Sequence, residues 1–444
     1  MKVLIAGQGI SGRSAFDYLL KNGYNVEYFK SQDLNIELNV SNKEYIDRLL
    51  SGLSFIVVSP GISLDNNLIK EAKKRKISVI GELELGTRDI KENIIAVTGT
   101  NGKTTTVSLI NHMLKDYRHN VFLGGNVGVA VTSFCDRVNN NDIVVLECSS
   151  YQLETINKFH AHIACILNFS EDHLLRHKTM KNYIKVKNNI VRNQSDKDYL
   201  ILNYDNDLVM KNIPKTKAKL YYFSIKTKVN GCYIKKQCIY FNDNQKEIKL
   251  LSIKNVKLVG NHNLSNILCA CLAVYLQTRD IDLLTNILTF EGVAHRNEFV
   301  KSINGIAFYN DSKATNIDST IVALKSYKCG INLILGGSDK GYEFDFLFEN
   351  MPKNVKNIVI FGQTSQKIVN AAKKYNYKNY YVCENLKAAT HLCFTLSKPK
   401  DIVLLSPACA SFDFFNNFEE RGNFFKKIVE EIAFSESSYD NKKV

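Results

Sequence analysis

Short apolar runs that favour β-strands alternate along the chain with longer segments of helical periodicity. The helix predicted after the first run places Ala15, Phe16 and Leu19 on one face. A second helical pattern, from Val107 to Tyr117, follows a glycine-rich turn. This alternation of strand and helix is typical of an α/β protein with mostly parallel sheets covered on both faces.

The predicted strands fall into three groups, which suggests three domains within the 444 residues. We expect a Rossmann-like first domain over residues 1–93, a central P-loop ATPase-like parallel-sheet domain over 94–296, and a Rossmann-like C-terminal domain over 297–444. The central domain includes a β-rich addition at 200–259, with a hairpin predicted at Asn230 and Gly231.

Composition and charge narrow the classes of function. Hydrophobic residues make up 45% and charged residues 23% of the chain, as in a globular protein. The net charge is +14, but lysine and arginine are scattered, which favours a lysine-rich surface over nucleic-acid binding. The eleven cysteines contain no CxxC pair and indicate reduced thiols. No targeting segment precedes the first strand, and the longest apolar run, 267–276, falls short of the ~20 residues that span a bilayer, so a cytoplasmic protein is expected.

The stretch IIAVTGTNGKTTT, Ile94 to Thr106, combines a buried strand, a glycine turn, a lysine and hydroxyls before a helix. Such a junction presents backbone N–H groups and a positive helix end to phosphate, and leaves a hydroxyl for Mg²⁺. Val97 stands where the usual Walker pattern has its first glycine, so Gly99 and Gly102 shape a variant of the loop. The sequence therefore predicts a phosphate loop.

A second glycine pattern, GQGISG from Gly7 to Gly12, follows the first strand and opens a helix. This context is that of a dinucleotide-binding turn. The carboxylate expected after the second strand is replaced by Lys30, so a nucleotide or pyrophosphate site is favoured over an NAD site. A turn that only packs the helix on the strand is the alternative.

Polar side chains follow the strands of the second and third groups. Glu147 ends one strand, and Asn168, Asp172, His173 and Arg176 follow the next. Because ligands gather at the carboxyl ends of parallel strands, this set suits a metal ion on phosphate oxygens. In the third group, three loops combine hydroxyls with lysine or with helix N-termini and suit a carboxylate substrate; they are residues 310–316, 336–341 and 406–415.

The motifs, taken in order, resemble those of the Mur ligase family over essentially the whole chain. They are GxGxSG, SPGI, TGTNGKTT, GGNVG, LECSSYQLE, LNFSEDH, GNHN, HR, NDSKATN and SPACASFD..NFEERG. The combination of the last two resembles the members that add D-glutamate to UDP-N-acetylmuramoyl-L-alanine, and the DNPR motif of the diaminopimelate- or lysine-adding members is absent.

This resemblance implies roles for matching residues. The catalytic residues would be Lys103, His173 and Lys187. The Mg²⁺ ligands, with two ions expected, would be Thr104, Glu147, His173 and Lys187, the last as the lysine that the family carbamylates. The ATP site would comprise Gly99, Thr100, Asn101, Gly102, Lys103, Thr104, Thr105, Asn263, Arg296 and Asp311. The UDP-substrate site would comprise Gly9, Ile10, Ser11, Gly12 and Asn126, and the amino-acid site Lys313, Thr315, Lys340, Ser411 and Phe418.

The resemblance also implies a mechanism in peptidoglycan precursor synthesis. ATP would phosphorylate the substrate carboxylate, and the amine of D-glutamate would attack the acyl phosphate, with the third domain closing to exclude water. Either His173 or a nearby carboxylate would accept the amine's proton. A monomer is expected, without nucleic acid or membrane insertion.

One stretch of the chain departs from the family pattern, and three alternative functions remain open. Phe29 to Gln32 replaces an Asp-Thr pair that binds uracil in the family member compared, so the base contacts are not defined. A related Mur-type or folylpolyglutamate-like ligase would use another amino acid. A regulatory nucleotide-binding protein would lack turnover, and a nucleic-acid-binding ATPase would respond to DNA or RNA.

Overall fold

The computed structural model describes residues 1–29, 43–90, 93–244, 246–258, 260–339, 341 and 343–440. Within these ranges the chain forms three sheets flanked by helices, which confirms the predicted α/β class. The packing divides into two units, Met1–Val256 with Leu264–Phe290, and Lys257–Asn263 with Glu291–Val444. The first two sheets lie in the first unit and the third sheet lies in the second.

The first sheet is parallel, with the strand order β2-β1-β3-β4. Leu4 and Ala6 join the apolar cluster on one face, and Val3 and Ile5 join the cluster on the other, as the two-residue repeat of a strand requires. The strands are β1 Lys2–Ala6, β2 Asn25–Phe29, β3 Leu53–Val58 and β4 Ser78–Gly81, and the helices are α1 Ile10–Lys21, α2 Lys43–Leu50, α3 Asn67–Lys74 and α4 Glu82–Thr87.

The second sheet has nine strands in the order β13-β12-β11-β10-β9-β8-β5-β7-β6. The strands are β5 Ile94–Thr98, β6 Val121–Gly125, β7 Ile143–Glu147, β8 Ile163–Ile166, β9 Tyr199–Asn203, β10 Lys219–Ser224, β11 Gly231–Lys235, β12 Cys238–Asn242 and β13 Glu247–Ser252. The α-helices are α5 Lys103–Met113, α6 Ser150–Leu153, α7 Leu174–His177, α8 Met180–Lys187, α9 Asp207–Lys211 and α10 Asn261–Thr278. Short 3-10 helices cover Leu114–Asp116, Val131–Ser133, Cys135–Arg137, Asn188–Val191 and Asp282–Thr289.

The hairpin predicted at Asn230 and Gly231 is wrong. β10 and β11 on either side of these residues pair in parallel, and the antiparallel hairpin joins β11 to β12 through Lys236 and Gln237, both with positive φ. Gly231 serves another purpose, because a Cβ there would lie 2.0 Å from the Tyr222 carbonyl oxygen. The glycine thus allows close approach of two strands and does not mark a turn.

The third sheet has six strands in the order β14-β15-β19-β16-β17-β18. Only its edge pair β14–β15 is antiparallel, and apolar clusters cover both faces, as predicted. The strands are β14 Glu298–Ile303, β15 Ile306–Asn310, β16 Ile331–Gly336, β17 Val355–Phe361, β18 Tyr380–Val382 and β19 Ile402–Leu405. The helices are α11 Ile317–Lys325, α12 Asp345–Glu349, α13 Ser365–Lys374, α14 Leu386–Leu396 and α15 Phe418–Asp440.

The structure also shows the environment of the cysteines and the character of the helices. Most of the cysteines are buried in the apolar cores, as expected from their apolar neighbours. A search of the described residues for a helix long and apolar enough to cross a bilayer finds none.

A buried carboxylate joins the first sheet's helices to the second sheet. Glu84 on α4 is fully buried and accepts hydrogen bonds from the backbone N–H groups of Asn157, Lys158 and Phe159, at 2.9 to 3.1 Å. Arg88 donates to the same carboxylate at 3.2 Å. Because charged acceptors of several N–H groups stabilise more than neutral ones, Glu84 is a strong attachment point within the first unit.

We predict that Glu84→Gln lowers the free energy of unfolding by about 1–3 kcal/mol. The amide of glutamine would place an N–H₂ group, which cannot accept a hydrogen bond, against backbone N–H groups that now donate to the carboxylate. The midpoint of urea unfolding, followed by circular dichroism, measures the change. Glu71→Gln is the matched control, since the exposed Glu71 bonds only with Arg75 and Lys74 side chains among the described residues. Equal midpoints for both variants would contradict the prediction.

Candidate active site

The phosphate-loop segment connects the buried strand β5 to helix α5. Gly99 and Gly102 have φ values of 150° and 87°, and a Cβ on Gly102 would lie 2.4 Å from Asn266 Oδ1. Glycine is therefore required at residue 102 by both conformation and space. Asn168 fixes the loop from the neighbouring strand end, accepting from the Asn101 N–H at 2.8 Å and donating to its carbonyl at 3.0 Å.

Two lysines converge on one carbonyl of this loop. Lys103 Nζ donates to the carbonyl oxygens of Gly99 at 2.9 Å and Thr100 at 2.8 Å. Lys187 Nζ, on α8, donates to the same Gly99 oxygen at 2.8 Å and contacts Thr98 Oγ1 at 3.4 Å. The loop therefore holds two amines close together at the point where phosphate would bind.

The environment of Lys187 is unfavourable for a charged amine. The side chain is 1% exposed, and its burial, followed by repulsion from Lys103, lowers the pKa of Lys187 well below its ordinary value. Asp172 and Glu147 oppose this shift without cancelling it. This lowered pKa favours the neutral, nucleophilic form of the Lys187 amine beside the phosphate loop.

Glu147 lies at the carboxyl end of β7, next to the loop. Its Oε2 accepts from Thr104 Oγ1 at 2.7 Å, and its Oε1 accepts from Asn126 Nδ2 at 2.8 Å. A carboxylate and a hydroxyl in contact are hard oxygen donors that suit Mg²⁺. No group of three His, Cys, Asp or Glu side chains in the described part of the chain forms a metal cage. This donor set fits Mg²⁺ that keeps water and phosphate oxygens as its other ligands.

His173 lies at the carboxyl end of the neighbouring strand β8, in the left-handed conformation with φ of 54°. Asp172 Oδ1 accepts from the His173 backbone N–H at 2.9 Å, and Asp172 Oδ2 lies 3.5 Å from His173 Nε2. The other ring nitrogen, Nδ1, lies 2.9 Å from the Tyr151 hydroxyl. A non-glycine residue held in this conformation is often part of a functional site.

The glycine turn of the first sheet leaves space above the start of α1. A Cβ on Gly9 would meet nothing within 4 Å, whereas one on Gly7 would lie 2.6 Å from Ser59 Oγ and one on Gly12 2.0 Å from the Gly7 carbonyl oxygen. Ser59 Oγ is buried and has no hydrogen-bond partner in the described residues. Ile10, in the turn, is 73% exposed. The turn is open at Gly9, as backbone binding of a diphosphate requires.

The second unit places Asp311 directly after β15. The carboxylate is buried and accepts from Ser406 Oγ at 2.8 Å and from the Asn297 N–H at 3.2 Å. Burial raises the pKa of Asp311 to about 6, although the neighbouring Arg296 acts in the opposite direction. Arg296 Nε is buried with no hydrogen-bond partner among the described residues.

A buried arginine organises the predicted amino-acid pocket. Arg421 is fully buried and donates to Ser312 Oγ and the Ser312 carbonyl at 3.0 and 2.8 Å, and to the carbonyls of Cys409 and Ala410, both at 3.0 Å. Ser312 Oγ in turn donates to the Phe418 carbonyl at 2.8 Å. One guanidinium therefore joins the loops after β15 and β19 to the start of α15.

The structure brings together most of the predicted residues of this pocket. Lys313 and Ser411 follow residues that Arg421 holds, and Lys313 Nζ lies 5.1 Å from the centre of the Phe418 ring. The Thr315 N–H donates to the Lys313 carbonyl at 2.9 Å. Lys340, and the departure at Lys30 to Gln32, lie outside the described residues. Asn263 is buried in the first turn of α10.

Three family models match the chain in consecutive segments. They are described as Mur ligase MurD-like, N-terminal domain, at residues 1–81, Mur ligase middle domain at 97–274, and Mur ligase, glutamate ligase domain at 295–409. The chain belongs to the Mur ligase family. The resemblance inferred from the motifs is therefore confirmed.

Curated relatives of this Mur ligase extend over nearly its full length. The UDP-N-acetylmuramoylalanine--D-glutamate ligase of Caldanaerobacter subterraneus subsp. tengcongensis is 40% identical, with 97% of this chain and 98% of the relative covered. The enzyme of the same name from Clostridioides difficile is 38% identical, with 97% and 98% covered. The similarity thus includes all three matched segments.

Solved structures of other Mur ligases have the same fold. UDP-N-acetylmuramate-alanine ligase MurC from Thermotoga maritima matches with a TM-score of 0.59 at 19% identity, covering 97% of this chain and 99% of that one. MurF ligase from Thermotoga maritima, solved in complex with ADP, matches with a TM-score of 0.58 at 16% identity, covering 88% and 92%. At these identities the matches show the fold alone.

Sequence reasoning missed three residues of this Mur ligase that the geometry singles out. Tyr151 and Arg421 lie inside the quoted motifs LECSSYQLE and NFEERG, but their contacts are with residues distant in sequence. Ser59 lies in SPGI, and its orphan hydroxyl appears only once the packing is known. The sequence signal for these three residues was their position inside the quoted motifs.

We predict that Asp311→Asn changes the pH dependence of stability. Because the folded pKa of about 6 exceeds the unfolded value of 3.8, the folded wild type binds a proton that the unfolded chain has lost, and its stability falls as pH rises between these values. A shift of roughly two units corresponds to about 3 kcal/mol at neutral pH. The Asp311→Asn variant should not show this loss of stability, because its side chain does not ionise.

Urea unfolding of both proteins at several pH values between the two pKa values measures the difference. The free energy of unfolding of wild type relative to Asp311→Asn should decrease steadily with rising pH. A constant difference would show that Asp311 is ionised throughout this window, in conflict with its burial.

Proposed function

We propose that this chain is an ATP-dependent ligase that adds D-glutamate to UDP-N-acetylmuramoyl-L-alanine in the cytoplasmic synthesis of peptidoglycan precursors. The main support is the 40% identity over 97% of the chain to relatives named for this reaction. The site geometry agrees with it, because a phosphate loop, a hydroxyl–carboxylate pair and a buried lysine lie at one sheet edge.

Residues of the first unit would bind ATP phosphates and metal. The loop from Gly99 to Thr105 offers backbone N–H groups, and Lys103 neutralises phosphate charge. Thr104 and Glu147 would hold one Mg²⁺, and His173 with a modified Lys187 a second. Bound Mg²⁺ would offset charge on the transferring phosphoryl group. Of the remaining predicted ATP residues, Asn263 would contact adenine, and Arg296 and Asp311 would also bind ATP.

Lys187 is suited to carbamylation. The lowered pKa favours the neutral form of its amine, which can attack CO₂, form an N–C bond and release one proton, so that a cation site would become a carboxylate ligand. The carbamate would remain beside Lys103, whose positive charge favours the anionic form. Burial excludes the water and acid that reverse the reaction.

The remaining residues would bind the two substrates that are joined. The backbone of Gly9, Ile10, Ser11 and Gly12 would bind the diphosphate of the UDP substrate, and Asn126 its amino-acid end near Glu147. Lys313, Thr315, Lys340, Ser411 and Phe418 would bind D-glutamate, with its carboxylates facing lysine and hydroxyl groups. Domain boundaries at 93 and 296 would assign one substrate to each of the three domains. We expect a monomer.

The chemistry follows from these positions. A carboxylate is a poor acyl donor, so ATP transfers its γ-phosphoryl group to the terminal carboxylate of UDP-N-acetylmuramoyl-L-alanine and leaves ADP. The amine of D-glutamate attacks the acyl phosphate carbon, the C–O bond to phosphate breaks, and a proton leaves the nitrogen. Lys103 and the loop N–H groups favour the first step by meeting charge on the phosphoryl oxygens.

We expect purified protein with ATP, Mg²⁺, UDP-N-acetylmuramoyl-L-alanine and D-glutamate to form one amide product with one ADP and one phosphate. Mass spectrometry identifies the product, and L-glutamate in place of D-glutamate tests stereospecificity. The proposal fails if D-glutamate gives no product while another amino acid does, or if ATP hydrolysis needs DNA or RNA and no amino acid.

We expect Lys187→Ala to reduce kcat/KM at least 100-fold, because it removes a metal-ligand position at the reacting phosphate. Lys185→Ala, an exposed lysine on the same helix, should leave the rate unchanged. With ¹³C-bicarbonate, wild type should show a carbamate ¹³C resonance that Lys187→Ala lacks. Wild-type ligation by Lys187→Ala, at unchanged thermal stability, would remove Lys187 from the metal site.

A further inference from the structure

Tyr151 makes one side-chain hydrogen bond within the described residues, and its partner is His173. The hydroxyl oxygen lies 2.9 Å from His173 Nδ1, and the two ring centres are 4.9 Å apart. His173 Nε2, on the other side of the imidazole, lies near Asp172. The two nitrogens of this ring therefore have different neighbours, the Tyr151 hydroxyl at Nδ1 and the Asp172 carboxylate at Nε2.

The position of Tyr151 is itself fixed by the fold. Helix α6 begins three residues after Glu147, the last residue of β7, and Ser149 and Gln152 form a reciprocal capping box around its first turn. The Arg176 guanidinium packs over the Tyr151 ring at 5.4 Å, and the His177 ring stacks on it at 5.8 Å. These two ring contacts restrict the position of the Tyr151 hydroxyl.

We infer that Tyr151 is a positioning residue that holds the imidazole of His173 with Nε2 facing the metal-binding edge of the sheet. The inference rests on the proposed function, in which His173 is a Mg²⁺ ligand. A metal-ligating histidine uses its second ring nitrogen to donate to a fixed acceptor, which sets both tautomer and orientation. The Tyr151 hydroxyl, 2.9 Å from Nδ1, is placed to be that acceptor.

The arrangement around Nε2 supports the same assignment. Asp172 Oδ2 lies 3.5 Å from Nε2, so a cation bound to Nε2 would also be close to a carboxylate oxygen, which attracts it. The left-handed backbone of His173 is a further constraint that persists only when its surroundings hold it. Tyr151 therefore links the strand end that bears Glu147 to the loop that bears His173.

The variant Tyr151→Phe removes the hydroxyl and keeps the ring that packs against Arg176 and His177. Tyr204→Phe is the matched control, because the partly exposed Tyr204 packs against Tyr222 outside the site. We expect thermal unfolding of both variants to stay close to wild type. In the presence of ADP, the affinity for Mn²⁺, measured by electron paramagnetic resonance, should fall 10- to 100-fold in Tyr151→Phe alone.

The imidazole itself gives a second readout. In ¹⁵N-histidine spectra with ADP and Mg²⁺, with His173→Gln used for assignment, wild-type His173 should show a single tautomer protonated on Nδ1. Tyr151→Phe should show a mixture of tautomers. Unchanged Mn²⁺ affinity together with an unchanged tautomer would overturn the inference, as would wild-type protonation on Nε2.

These measurements separate the inference from the proposed function, because neither needs an amino-acid substrate. If no ligation occurs but the tautomer and Mn²⁺ affinity change as expected, the reaction is wrong and the positioning role stands. If ligation occurs and Tyr151→Phe has wild-type metal affinity, the reaction stands and Tyr151 has only a packing role.

Discussion

The parallel pairing of β5 with β7 on one side and β8 on the other is the constraint on which the active-site edge depends. Val97 pairs with Glu147, and Thr98 with Ile166, so the phosphate loop, the acid and the His173 loop begin at the same level. Side chains alternate between faces along a strand, so a slip of one residue would turn Glu147 away from Thr104. The fully buried interior of β5 stabilises this register, since every residue from Ile94 to Thr98 is packed on both sides.

At that edge, polar side chains of the protein bond to one another and to the carbonyl groups of the loop. Lys103 and Lys187 bond the loop carbonyls, and Thr104 bonds Glu147. These contacts keep the side chains in nearly the geometry that binding needs, so little ordering remains when ligands arrive. Burial in the same surroundings lowers the pKa of the Lys187 amine, so its chemical character depends on burial as much as on its neighbours.

Much of this architecture could be predicted from sequence because strand and helix patterns, glycine turns and strand-end acids are local signals. The three predicted groups of strands form three separate sheets. The hairpin at Gly231 was wrong because a glycine needed for close strand approach has the same local sequence signal as one in a turn. Tyr151 and Glu84 act through partners 22 and 73 to 75 residues away, which no local pattern encodes.

The hydrogen bonds of Arg421 affect how the neighbouring residues can be substituted. Its partners are one serine, Ser312, and main-chain carbonyls of Cys409 and Ala410. Carbonyl oxygens are present whatever side chain a residue bears, so this support is insensitive to substitution at the neighbouring pocket positions. Under the proposed function, mutations at Lys313, Ser411 or Phe418 would therefore change which amino acid is accepted while the loop backbones stay in place. A pocket built on such a scaffold is evolvable: new specificities can arise there without a new fold.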